Sequence, residues 1–588
     1  MKYTKITAVA MLLAAGTFGF ADEFDEFTGE FEEYVEPTVT LSGSVSAAGR
    51  VYTDQRDANN EVLDLQDSLT EGNPSVKIDA DYSGSSSDVS IKFKFDKFSL
   101  GDYKEDIVEE FTARAYLGNF QLEAGKMKVV WGKGDKLHVI DNFNANDYTD
   151  YIIPDYIDRR IAEPMFRVVY STPSNVKLEG IWTPMMTADR LASDGVWVPN
   201  AMKKLTDTVE GAVKHNLKLT LDNAISTGDS TKAISKIMEA SSFSSDNLIG
   251  DNIHSIKFGQ AGARTTFTLG HLDLGLSYYY GHSKQPSANL SPYMDSVAAA
   301  VASWSQTTDG QTFISTNYGA EITKRVTAVI TSYATELAPT VVLGNTYTLL
   351  DGSSVTVTDA ATVQAVAADL AKKKAAAENL TDTITTAVVK ENAQKIALAS
   401  NQELNYDQIE LNYDQVQVFG LEMATVLWKF NIRAEGAYYL TKDTAGDNPW
   451  IHNNSVQWVA GFDIDMPWTN MNLNVQTQGK YILNNDKIGK GAYGDYDVDK
   501  DANDKYTNNK IVVNLSDSYN HDNVKVEVSG IYGIERKDIL VMPALTIRAA
   551  DDFSIKASGL WIHAPDEDCE FYGWGNNSFA QLSCKYLF

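Results

Sequence analysis

The chain has 588 residues, 43% hydrophobic and 11% aromatic, and a formal net charge of −29. That acid excess argues against nucleic-acid partners, whose binding surfaces are basic, and two cysteines, Cys569 and Cys584, are too few for a disulfide framework. After the first twenty residues no apolar run reaches the roughly 18 residues of a spanning helix, so a membrane protein of this composition has to be a closed β-barrel.

Residues 1–21 read as a secretory signal peptide: Lys2 and Lys5, an apolar stretch from Ile6 to Phe20, and small Gly19 and Ala21 before a cut at Asp22. No lipobox cysteine follows, so no lipid anchor is expected. Residues 22–37 form an acidic segment expected in the periplasm, and the barrel is expected over 38–588.

Strict alternation then recurs along most of the chain. In Met471–Tyr481, Met471, Leu473, Val475, Thr477, Gly479 and Tyr481 oppose Asn472, Asn474, Gln476, Gln478 and Lys480. One face suits lipid and the other a wet lumen, although a solvated sheet face would alternate in the same way. Such runs predict about eighteen strands, at 38–52, 74–83, 86–96, 110–118, 119–131, 163–172, 175–182, 255–269, 271–282, 406–424, 427–441, 455–466, 471–483, 509–518, 522–533, 537–548, 552–563 and 576–588. Connections after even strands are short and nearly all the long ones follow odd strands, the asymmetry of periplasmic turns and extracellular loops. Trp428 and Trp468 fall at predicted periplasmic turns, and Trp131, Trp182, Tyr280 and Trp561 toward the outer rim, as an aromatic girdle requires. The two cysteines fall at opposite ends of the last strand, roughly 30 Å apart at about 3.4 Å per residue, too far for a bridge.

Alternation assigns the lumen Lys77, Asp79, Asp81, Lys92, Lys94, Arg114, Arg167, Lys177, Glu179, Arg433, Glu435, Asp463, Lys480, Lys525, Glu527 and Lys556. They would line a pore for polar solutes, or brace the wall as salt bridges. The connection from Gly132 to Ala162 is dense in charge, with Asp141, Asp147, Asp150, Asp155, Asp158, Arg159 and Arg160. Folded inward it would be a constriction; outside it would be a solvated loop.

Two connections are too long to be simple loops. In 183–254, Met202, Leu205, Val209 and Val213 stand at helical spacing; in 283–404, so do Val297, Val301 and Trp304, then Ile322, Val326, Val329 and Tyr333. A hairpin is expected around Asp351–Gly352 and one or two helices in the alanine-rich stretch Asp359–Ser400. Both insertions are expected to be folded extracellular caps or partial plugs. Asp495, Asp497, Asp499, Asp501 and Asp504 alternate in the connection after the thirteenth strand and are a candidate for Ca²⁺, with Asp495, Asp497 and Asp499 foremost, but Lys500 and Tyr506 stand where an EF-hand needs Gly and Glu, so a solvated acidic loop is preferred.

Two resemblances bear on the barrel. The terminal run Ala580, Leu582, Cys584, Tyr586, Phe588 resembles the signature read by the machinery that inserts barrels into Gram-negative outer membranes, with Tyr586 and Phe588 as its aromatic end. Val129, Val130, Trp131, Gly132, then Asn142 to Asp150, Pro154, Pro164 and Leu178 to Ile181, are similar to an uncharacterised group of outer-membrane porin-like proteins, except that Asn144-Ala145-Asn146-Asp147 replaces that group's Asn-Pro-x-Asp. This resemblance implies an outer-membrane barrel and names no substrate.

The expectation is therefore an all-β, transmembrane, antiparallel up-and-down barrel of about 18 strands with helical extracellular insertions. Eight strands would be filled by side chains, whereas about eighteen enclose a channel or a plug. Its expected role is passive diffusion of small polar solutes across the outer membrane, as monomer or homotrimer, with outer-membrane lipid and the barrel-assembly machinery as partners and no cofactor. An alternative is a barrel-anchored adhesin or ligand-binding surface protein that uses the two insertions. A third reading, uptake of apolar solutes, would need a lateral opening, for which Gly125 and Gly262 are candidate kinks. His-Glu-x-x-His, Gly-x-Ser-x-Gly and phosphate-loop motifs do not occur, so no enzyme is expected.

Overall fold

The computed structural model describes residues 37–56, 61–63, 73–150, 156–193, 195–227, 253–491, 493–501 and 504–588. The signal peptide and nearly all of the acidic segment lie outside them, as does Asp155.

Eighteen strands form one sheet. They are β1 (Thr38–Tyr52), β2 (Ser75–Ser83), β3 (Ser87–Phe95), β4 (Val108–Leu117), β5 (Phe120–Met127), β6 (Glu163–Ser171), β7 (Lys177–Thr183), β8 (Gln260–Leu269), β9 (Leu272–His282), β10 (Gln415–Leu427), β11 (Phe430–Thr441), β12 (Ser455–Asp465), β13 (Asn472–Ile482), β14 (Thr507–Tyr519), β15 (Val524–Gly533), β16 (Ile539–Ala550), β17 (Phe553–His563) and β18 (Phe579–Leu587). Each is antiparallel to its chain neighbours, and β18 pairs back onto β1 from Leu587 opposite Ser44 to Phe579 opposite Tyr52. The sheet is a closed barrel, which leaves no strand edge unpaired. Gly125 and Gly262 both sit inside continuous ladders, so neither marks a lateral opening.

The alternation has a plain physical cause. One register face carries exposed apolar side chains such as Leu41, Leu421, Leu427, Val513, Val528 and Leu582, and the other carries the charged residues. Trp428 is 90% exposed and Trp468 72% exposed in tight turns, while Trp182, Tyr280 and Trp561 project from the far ends of their strands. Tyr586 and Phe588 are on the outer face, and Phe588 exchanges two backbone hydrogen bonds with Gly43, 2.9 and 3.1 Å.

Three strand ends differ from the expectation by more than three residues. The strand expected over 119–131 stops at Met127, because the chain leaves the wall there. A 3-10 turn at Ile256–Phe258 delays β8 to Gln260. Residues 406–412 are not part of β10, since Glu410–Asn412 pairs instead with Ser287–Asn289.

The long insertions give α1 (Asn200–Thr227), α2 (Ser291–Ser305), α3 (Thr308–Leu337), α4 (Ala360–Ala377), α5 (Leu380–Glu391) and α6 (Ala393–Ala399). The alanine-rich stretch thus holds three helices rather than one or two. Asp359 starts α4 through a capping box with Thr362, and the hairpin between α3 and α4 pairs Thr346–Thr348 with Ser354–Thr356. Val209, Met294, Val297, Val301, Ile322, Val388 and Ile396 make a core of their own, with Tyr493 and Tyr496 from the β13–β14 loop against it. The insertions therefore fold as one cap seated on the barrel loops. Ahead of α1, residues 184–193 and 195–199 are not helical, and Trp197 packs beside Tyr52 of β1. Cys569 is buried in a loop beside Phe571 and Trp574 and Cys584 is exposed on β18; both are free.

Candidate functional site in the barrel lumen

Cross-strand pairing fixes which charges face inward. Lys77 stands opposite Ser44, Asp79 opposite Ser42 and Asp81 opposite Thr40, then Lys94 opposite Lys77 and Lys92 opposite Asp79. The same face continues through Arg114 opposite Glu123, Glu123 opposite Arg167, Glu422 opposite Glu435, Ala424 opposite Arg433 and Asn431 opposite Asp463. It closes through Lys480 opposite Gln457, Glu527 opposite Ser516, Lys525 opposite Ser518 and Lys556 opposite Thr546. All the lumen residues named from alternation lie on this one face.

Most of the acids on it are engaged. A belt of ion pairs runs along neighbouring strands: Arg114 to Glu123 at 2.6 Å, Glu123 to Arg167 at 2.9 Å, Arg167 to Glu179 at 2.7 Å, and Arg264 to Glu179 at 3.7 Å and to Glu422 at 2.6 Å. Shared arginine forks suit such carboxylate pairs. Asp463 receives the Asn431 amide at 2.7 Å and lies 3.4 Å from Arg433. Glu123, Arg264 and Glu422 were not among the residues named from sequence, although the same period of two places them on this face.

The charge-dense connection enters the barrel. At its base, Asn144 accepts from the Val129 N–H at 2.8 Å and donates to the carbonyls of Met127 and Ile161 at 3.0 and 2.9 Å. Trp131 is 1% exposed, stacked edge-on against Phe143, which meets Tyr279 in the same way, and its indole N–H donates to Glu179 at 3.0 Å. This corrects its expected place in an outer girdle: the chain turns inward after Met127 and carries the indole into the lumen. Val129, Val139, Ile140 and Phe143 pack there against Met165, Ile181, Val418, Ala437 and Val459 of the wall. A Cβ on Gly262 would lie 2.8 Å from both Phe143 and Trp131, so the wall needs glycine where the loop docks.

Glu435 anchors the loop on β11. It accepts the Gly134 N–H at 2.6 Å and the Val139 N–H at 2.9 Å, with His138 Nδ1 at 2.8 Å. Gly132, at φ +121°, passes so close to this carboxylate that a side chain would collide with it. Farther round the wall Asp135 receives the Asn474 amide at 3.0 Å and Lys136 reaches Glu527 at 3.4 Å. On the return, Asp150 forms a two-pronged pair with Arg50, 2.8 Å on each arm, and Asp158 lies 3.7 Å from Lys77. Asp141 pairs with Arg160 and accepts from Tyr156 within the loop, Asp147 meets Arg190 at 2.9 Å, and Arg159 lies 5.8 Å from the Tyr148 ring. The described parts of the loop, 132–150 and 156–162, reach opposed arcs of the wall, and Asp141, Asp147, Asp150, Asp158 and Arg160 bond them in place.

Residues 184–193 and 195–199 make a second crossing. Ala192 and Trp197 pack with Tyr52, Leu540, Leu560 and Phe579 on the arc opposite β7, and the Trp197 indole donates to Tyr52 at 3.1 Å. The crossings are joined where the Asn146 N–H donates to Asp189 at 2.8 Å. Burial holds the Asp189 carboxyl above the usual range, although that N–H pulls the other way. Beside them Glu163 is buried with Lys284 at 2.9 Å and Gln260 at 2.9 Å. Water-sized space remains in the lumen along β2 to β6, in a cavity of about 400 Å³ lined by Asp81, Lys92, Glu110, Arg114, Glu123 and Lys128 among others.

The acidic run after β13 does not converge on a cation site. Asp495 pairs with Lys500, Asp497 accepts the N–H groups of Gly489 and Asp499, and Asp499 accepts from Asn453 N–H at 2.6 Å beside His452 at 2.9 Å. Among the described residues no group of three or more acidic, histidine or cysteine ligands is placed to hold a metal.

Among solved structures, the chain is similar to a BenF-like porin from Pseudomonas fluorescens Pf-5, with 7% identity, 95% of this chain and 99% of that one covered, and a TM-score of 0.39. It is similar to OccK11 (OpdR) of Pseudomonas aeruginosa at 8% identity, covering 96% and 99%, TM-score 0.38, and to OmpT, an outer membrane protein of Vibrio cholerae, at 8%, covering 95% and 100%, TM-score 0.31. No curated protein matches it by sequence. Residues 115–588, most of the chain, match a family described as "Protein of unknown function (DUF1302)", and the chain belongs to that family.

Proposed function

We propose that this protein is an outer-membrane channel through which small polar solutes diffuse passively. One observation carries the reading: a closed barrel of eighteen strands, apolar outside and charged inside, is narrowed from within by a loop bonded to opposed arcs of its wall. An apolar outer band suits lipid, and the inner charges substitute for the water contacts of a polar solute. The terminal strand with Tyr586 and Phe588 outward would be recognised by the barrel-assembly machinery, and the short connections would face the periplasm. Planar-bilayer recording tests the reading: discrete, stable conductance steps from the refolded chain support it, and a folded, heat-modifiable barrel without steps refutes it.

The helical cap favours a second reading, a barrel-anchored surface protein that binds a ligand, because the cap has its own core and the 30-residue α3. Deleting residues 291–400 separates the two. A channel keeps or gains conductance, whereas a ligand-binding cap loses its ligand while the barrel stays folded.

A further inference from the structure

The two inward segments do not fill the lumen evenly. The first packs its apolar side chains on β5 to β12, the arc that carries Glu163, Glu179, Glu422 and Glu435, and covers those acids. The opposite arc, β15 to β18, keeps exposed cations. Lys525, Arg548, Lys556 and Lys585 face inward there and reach solvent. Lys525 has Glu527 at 3.2 Å, whereas Arg548, Lys556 and Lys585 make no salt bridge with any described residue. The nearby turn acid Asp552 is held by the Tyr586 hydroxyl on the outer face.

Cross-strand register sets these cations in two tiers with hydroxyls between them. One tier reads Lys525, Thr546, Lys556, Ser583; the next reads Arg548, Ser554, Lys585, Ser46. Cations two strands apart stand about 10 Å from each other and the tiers about 7 Å apart. Ammonium, guanidinium and hydroxyl donors, of which only Lys525 has a carboxylate partner, offer an anion what it loses from water.

Resting on the channel reading above, we infer that the uncovered cations of β15 to β18 make the lumen select small anionic solutes, although the chain as a whole is strongly acidic. Its net charge of −29 is a property of other surfaces. What an ion meets in the lumen is set by the charges left uncovered there.

The test is the reversal potential of the refolded full chain in a KCl gradient near 0.1 M, comparing wild type with R548Q/K556Q/K585Q. A lumen cation about 10 Å from a passing ion, screened over one Debye length in water, changes the local anion-to-cation ratio about 1.7-fold. Removing three should therefore lower the chloride-to-potassium permeability ratio about five-fold from an anion-selective wild type. K556Q alone, with a shift of about 1.7-fold, serves if the triple variant does not fold. Conductance steps with no anion preference, or with a preference that the substitutions leave unchanged, overturn the inference and leave the channel standing. Absence of steps from wild type overturns the channel reading, and the inference with it.

Discussion

Replacing Glu435 with alanine should release the inward loop while leaving the barrel closed. The carboxylate accepts two backbone N–H groups, from Gly134 and Val139, and sits 2.8 Å from His138, and all three lie on the arm of the loop that approaches β11. Hydrogen bonds to a charged group contribute about 1.5 to 3 kcal/mol each. Three that share one acceptor are not additive, and water would enter to solvate the freed N–H groups, so about 4 kcal/mol is a reasonable net loss of loop anchoring. The barrel ladder does not depend on this side chain, so heat-modifiable mobility should persist. Single-channel recording of E435A should show larger or noisier conductance than wild type, because the segment that narrows the lumen samples detached positions. If the conductance and open-channel noise of a folded E435A barrel match wild type, the loop is not held by this carboxylate, or it does not narrow the path.

Gly262→Val places side-chain atoms where Phe143 and Trp131 now pack, so it should displace the same loop from the other side and raise protease cleavage between residues 132 and 162; an unchanged cleavage pattern would contradict that docking. Lys284→Ala should leave the Glu163 carboxylate buried without its cation at a cost of about 3 to 5 kcal/mol, read as a lower urea midpoint for the barrel, and an unaltered midpoint would show that the pair is dispensable. Burial acts to raise the Asp499 carboxyl, but His452 and the Asn453 N–H outweigh it and hold the group below the ordinary carboxylate range. Its contribution is therefore present above the ordinary carboxylate pKa and lost as pH falls through the lower folded value. Limited proteolysis of residues 484–506 should accelerate only on strong acidification, and D499N should abolish that pH dependence.

The wall was legible in the sequence because each strand meets two different media. Apolar positions such as Leu473, Val475 and Tyr481 alternate with Asn474, Gln476 and Lys480 whatever the rest of the chain does. The same parity marked Lys77, Arg114 and Lys556 as inward. What parity cannot carry is the direction the chain takes once it leaves the sheet. The apolar parity of Phe120, Leu122 and Ala124 on β5 inverts at Lys126 and Lys128, and Met127, Val129 and Trp131 take the inward parity of Glu123; that inversion marks where the lipid-facing strand ends but not that the chain turns into the lumen. Trp197 is similar, since it finds Tyr52 only because the chain after β7 reaches β1, six strands away around the wall. Anchors such as Arg50 with Asp150 or Gly134 with Glu435 join positions 100 and 301 residues apart, and a single sequence holds no signal for such partners. Which cations stay uncovered follows from those anchors, and was hidden with them.

A barrel this wide is mechanically a thin hoop, and a hoop resists being flattened much less than being stretched. The two crossings behave as spokes: one ties β5 to β11 and returns to β1 and β2, and the other ties β7 to β16, β17 and β18. Because they run at different headings and are joined through Asn146 and Asp189, squeezing the hoop along one diameter loads at least one of them. Lateral pressure from the bilayer would then be carried in part by the segments that narrow the lumen, so the circular cross-section and the bore depend on the same few side chains.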